Sequence, residues 1–476
     1  MSKLNLKAKE EPIYTAEGAR AVRITPTQQL RRSVLACMLW ENNFYEDGQT
    51  IGERISALVP QVPAETVAEL AIEARTRGNL RHVPLLLACE LAKHKTHRHV
   101  VGALVPKIVQ RADELAEILA IYSRERSGTK KLNRLSKQLQ KGLAEAFRKF
   151  SAYNLAKYNR DNTIKLRDVL FLTHAKPKDE EQEKTWKLLV NGELPTPDTW
   201  EVAISAAKGD VERTKATWER LLKDDRLGAL ALIRNLRNMT RAKVDRGLVR
   251  EALLKADTSR VLPFRFVAAA VAAPEFESEL DELLVKSARQ ASKLPGHTVL
   301  IVDVSGSMYG YGNISARSDI TRVQAAGALA AVARERCESV SIYATAGNDG
   351  SRRHATALVP SRHGMALVEK FSKNGFAGEL GSGGIFLVQA LDWVSERETS
   401  GADRIIVFTD EQDCDRKSTI CTRASKPSEA NAFGRRANYL INISSNKNGI
   451  GYKPNWTHLD GFSEAVLDYI GASEQG

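Results

Sequence analysis

Cysteine is scarce in this chain, and the few present do not pair. Cys37, Cys89, Cys337, Cys414 and Cys421 are odd in number, scattered, and form no CxxC. That argues against a cysteine zinc site or a disulfide scaffold and points to reduced thiols in a cytoplasmic setting. Apolar runs approaching the roughly 20 residues of a membrane span are absent, so no membrane partner is expected. The N-terminal MSKLNLKAKEEP carries basic residues without the apolar segment of a secretory signal. Catalytic signatures are missing as well: there is no P-loop, no G-x-S-x-G and no H-E-x-x-H, and the nine histidines do not cluster with acids. The glycine-rich GELGSGGIF lacks the P-loop lysine. The expectation is therefore a protein that is not an enzyme. Acids are the last shortage, since 70 Lys and Arg outnumber 58 Asp and Glu for a net charge of +12. Such an excess favours a polyanionic partner, most simply nucleic acid.

A chain of 476 residues exceeds one ordinary core, so two or more domains are expected. From Thr27 to about Lys286 nearly every segment reads as amphipathic helix: SVLACMLWENNFYEDG, VPLLLACELAKHK, VPKIVQRADELAEILAIYSRE, LAEAFRKFSAYNLAKYN, TPDTWEVAISAAKG, DVERTKATWERLLKD and LGALALIRNLRNMTRA. Pro84 suits a first helical turn, and TPDTWE offers a Thr or Asp cap. Short helices in procession suggest stacked pairs, in a solenoid, a ring or an irregular bundle. After about Ala291 the pattern changes to alternation. HTVLIVDVSG, ESVSIYATAG, DRIIVFTDEQ and ANYLINISS read as strands, with helices between and after them. Continuous apolar strands alternating with helices predict a mostly parallel sheet covered on both faces, with ligands at the carboxyl ends of strands.

Two such ends carry carboxylates. In VDVSGS the strand runs into Asp303, Ser305 and Ser307; in VFTDEQ it runs into Asp410. A carboxylate and two hydroxyls at alternate positions, with a second carboxylate from a neighbouring strand, form a hard-oxygen set suited to Mg²⁺. An ordinary polar strand-to-loop turn is the competing reading.

Residues 297–476 resemble a von Willebrand factor A domain, and D-x-S-x-S resembles its metal-ion-dependent adhesion site (MIDAS). That family also uses a loop threonine in a GGTD-like run; GSGGIF places Ile385 there, and Ser382 is the candidate substitute. The strings WENNFYEDG, VPLLLACELAKH, RADELAEIL, LRDVLFLTHAKP, LGALALIRNLRNMTRA and RVLPFRFVAA follow the order of, and are similar to, those of the TROVE module of the Ro autoantigen family. The resemblance implies an α plus α/β fold, a ring of HEAT-like helix pairs closed by the A domain. It divides the chain into an N-terminal arm (1–26), a TROVE helical domain (27–290) and an A domain (291–476). It implies binding of small noncoding, Y-like RNA on a basic outer surface and of single-stranded ends of misfolded RNA in a central hole. A role in RNA quality control, or as a scaffold for an exoribonuclease such as polynucleotide phosphorylase, would follow. A monomer suffices to close such a ring.

The residues point to RNA independently. Across residues 122–175 thirteen lysines and arginines face four acids. Among them Lys130, Lys131, Arg134, Lys137, Lys141, Lys157, Arg160, Lys165 and Arg167 are candidate phosphate contacts, and Lys176 follows. The spacing of Lys130, Arg134, Lys137 and Lys141 predicts one helical face. Tyr153 and Tyr158 are either stacking platforms for unpaired bases or packing residues. The resemblance assigns Lys157, in AKYNR, and His174, in THAKP, to the Y RNA surface; Arg234 and Arg237, in LIRNLRNMTR, either line the hole or cap and brace neighbouring helices. Without it, His174 reads as a core histidine. The competing function is a protein-interaction scaffold whose metal captures an acidic partner residue.

Overall fold

A computed structural model of the chain describes residues 13–15, 24–36, 48–123, 135–159, 163–289, 292–309, 320–381, 383–414, 432–444, 446 and 456–474. Helices run from Pro26 to Arg289, many of them opened by short polar side chains. Thr25, Ser136, Ser151, Asp179, Thr199, Asp210 and Asp245 each accept the backbone N–H three residues on, a cap worth about 1 kcal/mol. Two expected long helices are split for this kind of reason. The segment 105–125 forms Val101–Ile108 and Asp113–Ser123. Between them the Glu114 carboxylate accepts from Gln110 N and Arg111 N, and buried Arg75 donates to Ile108 O and Glu114. The segment 143–159 is broken where Ser151 caps Ala152–Tyr158 after the Lys137–Phe147 helix has ended.

The expected face of Lys130, Arg134, Lys137 and Lys141 is corrected too. Ser136 is an extended-backbone cap and the helix begins at Lys137, so among the described residues that helix carries Lys137 and Lys141. Lys130, Lys131, Arg134 and Arg160 lie outside the described residues. Helix neighbours approach closely: a Cβ on Gly142 would sit 2.9 Å from Val105 Cβ and 3.0 Å from Val101 O, so alanine there would drive the Val101–Ile108 and Lys137–Phe147 helices apart.

The sheet contains β1 (Leu294–Asp303), β2 (Cys337–Asn348), β3 (Arg353–Leu358), β4 (Ala402–Thr409), β5 (Gly434–Asn442) and β6 (Thr457–Asp460). Its order is β3-β2-β1-β4-β5-β6, with every pair parallel except β2–β3. The fold class is α plus α/β, as expected. Four of these strands were legible as apolar runs; β3 (RHATAL) and β6 (THLD) were not, being short, polar edge strands. Side chains alternate along β1. Leu300 and Val302 join the core containing the Arg322–Arg336 helix, whereas Val299 and Ile301 join a second core with the Leu387–Ser395 helix. The sheet is thus covered on both faces.

The helical series begins and ends against this α/β unit. At its start, Arg32 reaches Asp460 and Glu411, and Ser463 Oγ donates to Arg77 O. At its end, Phe264 packs edge-on against Phe462 at 5.7 Å, and Asp281 accepts from Met365 N at 2.7 Å. Arg289, in the last helix, reaches Glu335 at 3.2 Å. Residues 460–463 therefore touch both the first helix and the Phe264–Ala272 helix, so the chain closes a circuit on itself. No helix among the described residues is long and apolar enough to cross a membrane.

Candidate cation crevice and nucleic-acid interface

Strand order reverses between β1 and β4, the position where doubly wound sheets open a crevice at their carboxyl ends. Asp303 ends β1 and Asp410 follows β4 there, both fully buried. Asp303 Oδ1 accepts Ser305 N at 2.8 Å, and Oδ2 accepts the Thr409 hydroxyl at 2.7 Å. The Ser305 and Ser307 hydroxyls lie 3.3 Å apart, and buried Arg322 donates to Ser307 O at 3.1 Å. Burial, then the charge of Asp410, pushes the Asp303 carboxyl up to about 7. Burying Asp303 and Asp410 together favours a cation; the nearby buried Glu411 and Asp460 are already paired with Arg32. Two carboxylates and two hydroxyls are hard oxygen donors, so the residues fit a divalent ion of the Mg²⁺ type. Among the described residues no group of three or more His, Cys, Asp and Glu side chains suits a metal, so any ion here relies on hydroxyl or backbone oxygens as well.

The third wall of the crevice comes from the glycine-rich loop. Gly383 O accepts Gly306 N at 3.0 Å, tying that loop to the D-x-S-x-S turn. A Cβ on Gly384 would lie 1.9 Å from Cys414 Sγ, and one on Gly383 2.4 Å from Gly347 O, which explains glycine at both positions. Ile385 is fully buried in the second apolar core and contributes backbone only, accepting Cys414 N at 2.8 Å. Ser382 lies outside the described residues.

The basic candidates fall into two groups. Lys137 and Lys141 are exposed on one helix face; Lys157 is half-buried, its ammonium 5.6 Å from the Tyr158 ring centroid. Lys165 caps the Leu166–Thr173 helix through its backbone N–H, received by Asp168 at 2.8 Å. Arg167 is exposed with Asp168 4.0 Å away. His174 is not a core residue: it is exposed, in the left-handed conformation (φ 50°) that ends the helix. Lys176 is exposed, and its carbonyl accepts Arg148 Nε at 2.8 Å.

Two further cations of the basic segment are engaged by the protein itself. Lys149 donates to Pro106 O and Val109 O at 2.6 Å each, and Arg148 pairs with Glu145 at 2.9 Å. Tyr158 packs half-buried under Arg111 at 4.6 Å, whereas Tyr153 is exposed. Phe171, 57% exposed, was not anticipated. Arg167 and Phe171 fall at i and i+4, so a cation and an aromatic ring share one face of the helix that His174 ends. The available signal was that Phe171 lies off the buried stripe of Leu166, Val169, Leu170 and Thr173.

The second group is all arginine. Arg234 and Arg237 are exposed on the Ala229–Arg241 helix, which has no acidic residue, and Arg241 continues their face. Arg265, lying over the Phe264 ring at 4.8 Å, is held below the usual arginine range by burial and then by Arg234. Among the described residues none of these four arginines has an ion-pair partner within 4.0 Å. Arg241 and Arg265 were missed because their proximity to the others spans a helix turn and a change of helix.

The sequence matches the family model of the TROVE domain over residues 20–192 and 191–326, the second segment crossing β1 into the Arg322–Arg336 helix. No curated protein matches significantly. Among solved structures, the crystal structure of the Ro (RSR) protein of Deinococcus radiodurans is similar with a TM-score of 0.58 at 16% identity, covering 95% of this chain and 100% of that one. That likeness extends the common fold over both the helical and the α/β parts. With the family model matching well over half its length, the chain belongs to the TROVE domain family, an RNA-binding family.

Proposed function

We propose that this protein is a non-enzymatic, ring-shaped, monomeric RNA-binding protein. It takes small noncoding, Y-like RNA on its lysine- and histidine-bearing face and single-stranded ends of misfolded RNA in the hole. It serves RNA quality control or scaffolds an exoribonuclease such as polynucleotide phosphorylase. The carrying observation is the arginine face of the Ala229–Arg241 helix, three exposed guanidiniums with no acid on their own helix. Such a face attracts phosphodiesters and has no reason to persist in a scaffold that reads acidic side chains one at a time. The closed circuit within one chain supports a ring and a monomer. The buried thiols Cys89, Cys337 and Cys414 support a reducing, cytoplasmic compartment.

Filter binding of a structured RNA with a free single-stranded end, across a salt series, tests this reading. Lys157→Ala with His174→Ala should weaken binding about three- to tenfold and flatten the salt slope by about one, with the fold intact. Binding indifferent to salt and no tighter than micromolar would favour the scaffold alternative instead.

The division into arm (1–26), TROVE unit (27–290) and von Willebrand factor A unit (291–476) belongs to the same proposal, as does Mg²⁺ held by Asp303, Ser305, Ser307 and Asp410. The ion would neutralise the crevice and leave a coordination position for an outside oxygen. Asp303→Asn should stabilise the ion-free chain by roughly 1–3 kcal/mol, by relieving the buried carboxylate pair, and abolish stabilisation by Mg²⁺. Thermal unfolding with and without Mg²⁺ reads both effects; a variant still stabilised by Mg²⁺ would place the ion elsewhere. With Ile385 supplying no oxygen, the wild-type ion should bind more weakly than in threonine-bearing sites.

A further inference from the structure

The residue after Asp410 has an unusual position. Glu411 is fully buried and adopts a left-handed backbone (φ 59°), which side chains bearing a Cβ rarely take without an anchor. Its anchor comes from the other end of the chain. Arg32, on the Pro26–Leu35 helix, is itself buried; it meets Glu411 Oε2 at 2.5 Å and Asp460 Oδ1 at 3.3 Å. His458 Nδ1 lies 3.2 Å from Glu411 Oε1, and Asn442 Nδ2 donates to Asp460 at 3.3 Å. The first helix thus enters the α/β unit through one arginine set among acids.

This anchor is linked to the crevice by consecutive hydrogen bonds. Glu411 N donates to Thr409 Oγ1 at 3.0 Å, and that hydroxyl donates to Asp303 Oδ2 at 2.7 Å. Because the hydroxyl accepts from Glu411 N, its single proton is directed at Asp303. If Glu411 left the left-handed conformation, its N–H would swing away and the hydroxyl would be free to rotate off the carboxylate. The same loop receives a second contact from the N-terminal segment, since buried Thr15 donates to Asp413 O at 3.0 Å.

We propose that Arg32 is a positioning residue for divalent-cation binding: by fixing Glu411 in its left-handed conformation it sets the Thr409–Asp303 hydrogen bond. The crevice then takes the ion tightly only while the first helix is docked. By linkage, the ion in turn strengthens that docking and with it the closure of the helical circuit. The inference rests on the cation reading above and adds to it a residue with no ligand role.

Mn²⁺ serves as the probe, its affinity measured calorimetrically on the full chain, with amide exchange of residues 26–35 followed with and without the ion. Arg32→Met should weaken Mn²⁺ about tenfold or more, and in the wild type the ion should slow exchange in the first helix. Arg32→Met combined with Glu411→Gly should regain most of the affinity, because glycine adopts the left-handed conformation unaided and leaves no buried carboxylate. A role for Arg32 in docking alone would not be rescued that way. Unchanged affinity in a folded Arg32→Met chain, or no rescue by the glycine, overturns the coupling. If Arg32→Met does not fold, unaltered exchange of residues 26–35 on adding Mn²⁺ to the wild type overturns it equally. Failure of the wild type to bind Mn²⁺ at all removes the cation reading, and the coupling falls with it.

Discussion

Replacing Arg234, Arg237, Arg241 and Arg265 together by glutamine is expected to lower affinity for single-stranded RNA by about a hundredfold or more at moderate salt. The slope of log affinity against log salt should fall by about three, since each phosphate contact on a single strand contributes about 0.7. The expectation follows from what surrounds these side chains. Positions 234, 237 and 241 recur at three and four residues, so their side chains project from one strip of the Ala229–Arg241 helix. Arg265 joins from the Phe264–Ala272 helix, which packs against it. Like charges gathered without carboxylates repel, and an incoming phosphodiester relieves that repulsion while releasing counterions. Glutamine keeps length and helix propensity, so folding should survive. Filter binding of an unstructured oligonucleotide from low to moderate salt gives the answer. An unaltered slope would mean that these guanidiniums do not meet phosphate, and the main support for RNA at this face would be gone.

The second large effect concerns stability. Arg404 of β4 is fully buried and donates through both Nε and Nη2 to Glu474, through Nη1 to Thr298 Oγ1 at 2.8 Å, and through Nη2 to Pro295 O at 2.9 Å. Arg404→Met should cost about 3–5 kcal/mol, because it leaves Glu474 without its cation beside the end of the Ala465–Ser473 helix. Arg404→Met with Glu474→Leu should recover most of that loss, since an apolar pair leaves no buried charge. Both partners are shielded, so the cost should hardly change with salt. Urea unfolding of the single and double variants measures it. A single variant within 1 kcal/mol of wild type would show that the pair is dispensable. The effect reaches the crevice, because β4 carries Arg404 near its start and Asp410 just beyond its end.

Much of the crevice was legible in the sequence. Apolar runs ending at Asp303 and Asp410 announced two strand ends, and parallel strands bring their carboxyl ends to one edge. The position of Ile385 was legible only in part. Its side chain cannot bind a metal, but that it belongs to a second apolar core required knowing that Val299 and Ile301 face that way. The helices were readable by periodicity, yet their breaks were not. Glu114 and Ser151 interrupt amphipathic patterns that continue through them, because a cap overrides a repeat locally. β3 and β6 escaped because edge strands need few apolar residues.

The amino-acid order alone determined that helices would precede a mostly parallel sheet, that two carboxylate-bearing strand ends would share its rim, and that cations would exceed acids. Each of these is written in neighbouring residues or in totals. Tertiary structure decided which cations are spent inside the protein and which are offered outward. Lys149 stays exposed yet is tied to two carbonyls, Arg32 is taken inside by acids some four hundred residues away, and Arg234 is left beside another arginine. The reason is that charge interactions depend on separation in space and on burial, and neither can be read from separation along the chain.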